Sequence, residues 1–115
     1  MLGGENTGYE TKGLPYTVSV NDGIKTPLLE GVDAANIRGS QSLYKVLPLA
    51  ADATPILIGT AGAGATTPPQ PVAWTRAYGI KKARIFYTSL GAPEDMQIAD
   101  VRRLLVNAVN WLIKP

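Results

Sequence analysis

The chain has 115 residues, 45% of them hydrophobic and 17% charged, with a formal net charge of +2 from 11 Lys and Arg against 9 Asp and Glu. That length suits one small domain (residues 1–115) burying roughly two thirds of its unfolded surface, and the apolar share is too high for a disordered chain. With no Cys and no His, the chain cannot supply disulfides, thiolate metal centres, an imidazole base, or a Ser-His-Asp or Cys-His catalytic set.

Residues 1–13 (MLGGENTGYETKG) hold four glycines and few apolar groups, and read as a flexible arm. They show neither the basic n-region nor the apolar h-region of a secretory signal, so a cytoplasmic location is expected if residue 1 is the native start. No 18-residue apolar run predicts a transmembrane helix. Tyr16-Thr17-Val18-Ser19-Val20 alternates around β-branched positions and predicts a strand, closed by the turn residues Asn21-Asp22-Gly23. Thr26-Pro27-Leu28-Leu29-Glu30-Gly31 predicts a short helical turn: Thr26 is placed to cap, Pro27 fits the first helical position, and Gly31 ends it. Leu43–Leu47 predicts a strand stopped by Pro48. The run Pro55–Gly59 (PILIG) is continuously apolar, as expected of a buried strand rather than a surface one. Residues 59–71 (GTAGAGATTPPQP) are the low-complexity stretch and read as a flexible loop.

Two further strands are predicted at Pro71–Tyr78 and Ala83–Leu90, joined through Gly79-Ile80-Lys81-Lys82 as a hairpin. Val72, Trp74, Arg76 and Tyr78 share one face of the first strand, and Ala73, Thr75 and Ala77 the other. Apolar groups on both faces predict that the hairpin is covered on each side. A helix is expected from about Ala99 to Ile113, with Ile98, Val101, Leu105, Ala108, Val109 and Leu112 as its apolar stripe. Asp100 in the first turn and Lys114 at the end suit the helix dipole, and Pro115 finishes the element.

Three motifs bear on chemistry. Gly59 to Thr66 has the spacing of a phosphate loop, but Ala65 stands where the lysine belongs, and Thr67-Pro68-Pro69-Gln70-Pro71 cannot open the helix such a loop needs. A plain loop is the better reading. Arg76, Lys81, Lys82 and Arg84 lie among Trp74, Tyr78, Phe86 and Tyr87, a pattern that suits single-stranded nucleic acid. Two of the four cations fall in the turn, where lysines are ordinary, so no nucleic-acid partner is expected. Glu94, Asp95 and Asp100 offer carboxylates for acid/base work or a hard metal, although acidic residues at a helix start more often cap it.

Read as one string, residues 71–111 (PVAWTRAYGIKKARIFYTSLGAPEDMQIADVRRLLVNAVNW) resemble the C-terminal signature of the ThuA-like, or trehalose-utilisation, family. The residues that carry the resemblance are Pro71, Val72, Trp74, Thr75, Arg76, Tyr78 and Gly79, then Arg84, Phe86, Tyr87, Thr88, Ser89, Leu90 and Gly91. Pro93, Glu94 and Asp95 follow, with Arg102, Arg103, Leu104, Leu105, Asn107 and Trp111 on the helix. A weaker collinear likeness runs upstream through Tyr16–Val20, residues 26–32, Leu43-Tyr44 and residues 48–59.

The resemblance implies an α/β fold: part of a flavodoxin-like, class I glutamine-amidotransferase-like sheet, with a C-terminal hairpin and a packed C-terminal helix. It implies a carbohydrate-related role in sugar utilisation or binding. Three positions depart from the family pattern: Ala92 replaces a histidine after Leu90-Gly91, Asn6-Thr7-Gly8 replaces an upstream His-Gly, and the turn at 79–83 is one residue longer. The βαβ units that begin family members are not apparent, so the chain reads as the C-terminal half of such a domain. It is expected not to catalyse on its own, and no metal or cofactor is called for.

If a site survives, it is expected near the ends of the last two strands. There the substrate-binding candidates are Trp74 as a stacking platform, Arg76 as a fork of donors, and Ser89 and Gly91 as hydrogen-bonding groups. Glu94 and Asp95 are the acid/base candidates. The competing expectation is an interaction module that docks its sheet on a partner chain or on a second copy, with no membrane partner.

Overall fold

The computed structural model describes residues 2–4, 6, 8–9, 16–39, 43–62 and 68–113. Strands β1 (Gly8–Tyr9) and β4 (Tyr44–Lys45) form a small antiparallel pair. Strands β2 (Tyr16–Val20), β3 (Arg38–Gly39), β5 (Ala53–Ala61), β6 (Gln70–Tyr78) and β7 (Ala83–Thr88) form a five-stranded sheet in the order β3-β2-β5-β6-β7. Helix α1 (Ala99–Ile113) follows, and short 3-10 turns stand at Pro27–Leu29, Ala34–Asn36 and Asp95–Gln97.

The apolar run at 55–59 lies in a largely buried strand, as its composition predicts. Its strand, β5, pairs antiparallel with β2 on one edge and with β6 on the other, and every pairing in the sheet is antiparallel. Ile56 and Leu57 are consecutive and both inaccessible, as a strand covered on both faces allows. The register shift between Pro55 and Leu57 marks an irregularity of the kind that tolerates a proline with no N–H to donate. Strand β5 runs on to Ala61 and β6 begins at Gln70, so the connection is shorter than residues 59–71. Residues 63–67 of it lie outside the described residues, as do 1, 5, 7 and 10–15 of the N-terminal arm and Lys114 and Pro115.

The hairpin β6–β7 forms as its spacing predicts. Trp74 stands opposite Tyr87, and Thr75 opposite Phe86. Gly79 at φ +77° and Lys82 at φ +54° carry the turn, closed by the Lys82 N–H donating to the Gly79 carbonyl at 3.1 Å. Both faces of β6 are covered, since Val72, Ala73 and Trp74 are all buried. On the Trp74 side lie Gly3, Gly4 and Leu49. On the Phe86 side, Arg84 reaches α1 by donating to the Trp111 carbonyl.

At the far edge, Tyr16 pairs with Gly39. A Cβ at Gly39 would stand 2.0–2.3 Å from the Tyr16 ring, so only glycine lets the ring lie across β3. The turn at Pro27–Leu29 is built as expected: Thr26 Oγ1 accepts from the Leu28 N–H at 3.3 Å, and Pro27 opens it. Leu28 and Ile37, both inaccessible, meet Val101, Leu104 and Ala108 of α1 in the main core.

The helix has its predicted bounds, but its buried stripe is rotated. Leu104 and Asn107 are buried, while Val109 and Leu112 are 57% and 42% exposed. The cause is polar: the Asn107 side-chain amide donates to the carbonyls of Leu28 (2.9 Å) and Glu30 (2.8 Å), drawing that flank of α1 onto residues 27–30. Asp100 anchors the opposite end, accepting from the Asp33 N–H at 2.8 Å and from Asn36 Nδ2 at 3.1 Å.

Candidate functional site

The residues singled out in the sequence fall into two groups. In the first, Trp74 is 1% exposed, its indole N–H donates to the Leu2 carbonyl at 2.8 Å, and its ring stacks on Tyr87 with centroids 4.0 Å apart. A ring sandwiched in this way is a wall of the core. Beside it Arg76, half-buried, donates from Nε to Asp52 Oδ1 at 2.5 Å, and its guanidinium lies 4.6 Å from the Tyr78 ring centroid.

The second group lies where β7 runs into the helix. Asp95 is 2% exposed and its Oδ2 accepts from the backbone N–H groups of Gly91 (3.1 Å) and Ala92 (3.2 Å). The carboxylate therefore ties the 91–95 turn on itself, in the manner of a capping acid. Ala92, standing directly after Gly91, contributes its N–H to this tie. Glu94 is exposed, with no capping bond from its side chain. Gly91 is exposed, with open space where a Cβ would project. Ser89 is half-buried; its N–H donates to the Val72 carbonyl at 3.1 Å, and its side chain hydrogen-bonds Tyr16.

Tyr16 was not singled out in the sequence, where it reads as one more strand residue. Burial pushes its hydroxyl from 10.0 up to about 12; the Ser89 bond opposes that rise, and the nearby Asp95 charge adds to it. Burial likewise raises Tyr87. Ser89, Asp95 and Tyr16 thus form one cluster, while Trp74 and Arg76 belong to the other group. Among the described residues no group of three or more carboxylates forms, and no helix is long and apolar enough to cross a membrane.

A groove lies elsewhere, between α1 and residues 27–30. Its volume is about 330 Å³, and Glu30, Arg103, Asn107, Asn110 and Trp111 are among its lining residues. The signal for it is present in the sequence: positions 103, 107, 110 and 111 recur at helical spacing and make a single polar–aromatic stripe. An apolar-stripe search passes over such a pattern.

A family model described as trehalose utilisation matches residues 1–112. No curated protein and no solved structure matches the chain.

Proposed function

The chain belongs to the ThuA, or trehalose-utilisation, family, and from that premise we propose that it has a carbohydrate-related role, binding a sugar rather than transforming it alone. The observation that carries this reading is the family match over residues 1–112. Its restriction to binding rests on a sequence with no Cys and no His. In the same reading, the sheet and α1 are one domain and part of a flavodoxin-like, class I glutamine-amidotransferase-like fold, on the strength of the family alone.

The strand-end residues fit the role unevenly. Gly91 and Glu94 are exposed and can meet hydroxyl groups from solvent, Ser89 stands beside them bonded to Tyr16, and Arg76 lies in the other group with Asp52 as its partner. Trp74 serves as support beneath Arg76 rather than as a stacking surface. If acid/base work occurs, Glu94 is the accessible carboxylate and Asp95 the anchor that shapes its turn.

The test is a thermal melt of the full chain against rising trehalose or glucose, with glycerol as the control. Sugars stabilise most proteins weakly by exclusion from the surface, without saturation. A bound sugar instead stabilises along RT ln(1 + [L]/Kd), about 2.7 kcal/mol at a hundredfold excess over Kd. Only a shift that follows that curve, at concentrations where glycerol has no effect, supports the reading.

One observation favours a second reading, an interaction module. Val106, Val109 and Ile113 are 53%, 57% and 73% exposed and lie at i, i+3 and i+7 on the outer side of α1. A module that self-associates through this strip has a melt that rises with protein concentration and is indifferent to sugar.

A further inference from the structure

We infer that the groove between α1 and residues 27–30 is a binding site for the hydroxyl face of a neutral mono- or disaccharide, with Asn107, Asn110, Arg103, Glu30 and Trp111 as its contacts. The inference rests on the carbohydrate-related reading and adds a site to it that lies apart from the strand ends.

Asn107 is the central observation. It is 8% exposed, lines the groove, and commits both amide hydrogens to protein, one to the Leu28 carbonyl and one to the Glu30 carbonyl. Those two bonds fix the orientation of the amide, because the reverse orientation would set oxygen against two carbonyl oxygens. Its Oδ1 is then left with no donor among the described residues. In a residue more than nine-tenths buried, an amide oxygen without a donor is unfavourable unless something enters to donate to it. The groove it lines supplies the route for such a donor.

The rest of the lining selects the donor's chemistry. Glu30 and Arg103 bring one charge of each sign, which favours neither a phosphate nor a cation and suits a neutral polyol. The Arg103 Nε donates to the Glu30 carbonyl at 3.2 Å, and that bond holds the guanidinium at the groove. Asn110, exposed one turn from Asn107, offers a donor and an acceptor. Trp111, half-buried, adds an aromatic wall whose indole N–H has no acceptor among the described residues. Alternating donors and acceptors beside an aromatic surface are what a ring bearing adjacent hydroxyls requires, and the volume lies within the range of small-ligand sites.

The experiment is a titration of the full ¹⁵N-labelled chain with trehalose and, separately, with glucose, reading amide and indole shifts. The expected result is saturable movement of the Trp111 indole and the Asn107 and Asn110 side-chain amides, with the Trp74 indole still. Asn110→Ala and Glu30→Gln alter exposed side chains that hold no structural bond among the described residues, so both variants fold, and each weakens the apparent Kd about three- to tenfold. Movement confined to Ser89, Gly91 and Glu94, with variants that bind like the parent, overturns the groove and leaves the carbohydrate reading standing. If no signal moves with either sugar, both fall.

Discussion

Replacing Asp95 with Ala removes the acceptor of two backbone N–H groups, Gly91 at 3.1 Å and Ala92 at 3.2 Å, from a site only 2% exposed. Hydrogen bonds to a charged acceptor contribute about 1.5–3 kcal/mol each. Here Gly91 is exposed and regains water when the turn opens, so the two together should cost about 2–3 kcal/mol. In a chain of this length that lowers Tm by roughly 10 °C. Asp95→Asn keeps a carbonyl oxygen in place and should recover about half. Glu94→Ala, one residue earlier but exposed, should lie within about 0.5 kcal/mol of the parent. Urea unfolding followed by circular dichroism measures all three. An Asp95→Ala chain as stable as the parent would refute the assignment of this carboxylate as the anchor of the turn.

Gly39→Ala places a methyl within 2.0–2.3 Å of the Tyr16 ring; it should cost more than about 2 kcal/mol, read as a lowered urea midpoint. Gln70→Ala removes the buried Oε1 that accepts from the N–H groups of Val46 (2.8 Å) and Leu47 (3.2 Å). The expected loss is about 2 kcal/mol, with a Leu at the same position no better because the two donors stay unpaired. Tyr16, raised from 10.0 to about 12, holds its proton more tightly when folded. Its contribution is therefore intact below pH 10 and is lost as pH rises through 12, a fall of about 2–3 kcal/mol. Urea midpoints between pH 9 and 12 should show that slope in the parent and lose most of it in Tyr16→Phe.

Local chemistry was legible wherever neighbours in sequence decide the outcome. Thr26 and Pro27 specify their turn, Gly79 marks the hairpin, and the bounds of α1 follow from its periodicity. What the sequence hides is long-range polar pairing. The stripe of α1 is rotated because Asn107 bonds carbonyls 77 and 79 residues away, and no periodicity rule counts an asparagine as a core residue. The antiparallel course of β5 is hidden for a similar reason, since a run buried on both faces looks the same in either kind of sheet. At the candidate site, Trp74 and Asp95 were visible as chemically able groups. Their commitments to Leu2 and to the Gly91–Ala92 backbone depend on the folded chain. Residue type announces what a side chain can do, and packing decides whether it is still at liberty to do it.

The carbohydrate-related role is tested most directly by calorimetric titration of the full chain with trehalose and with glucose. A saturable heat with a defined stoichiometry, absent with glycerol, is the predicted result. No heat beyond dilution with either sugar, together with a melt that depends on protein concentration, would contradict it and leave a self-associating module in its place.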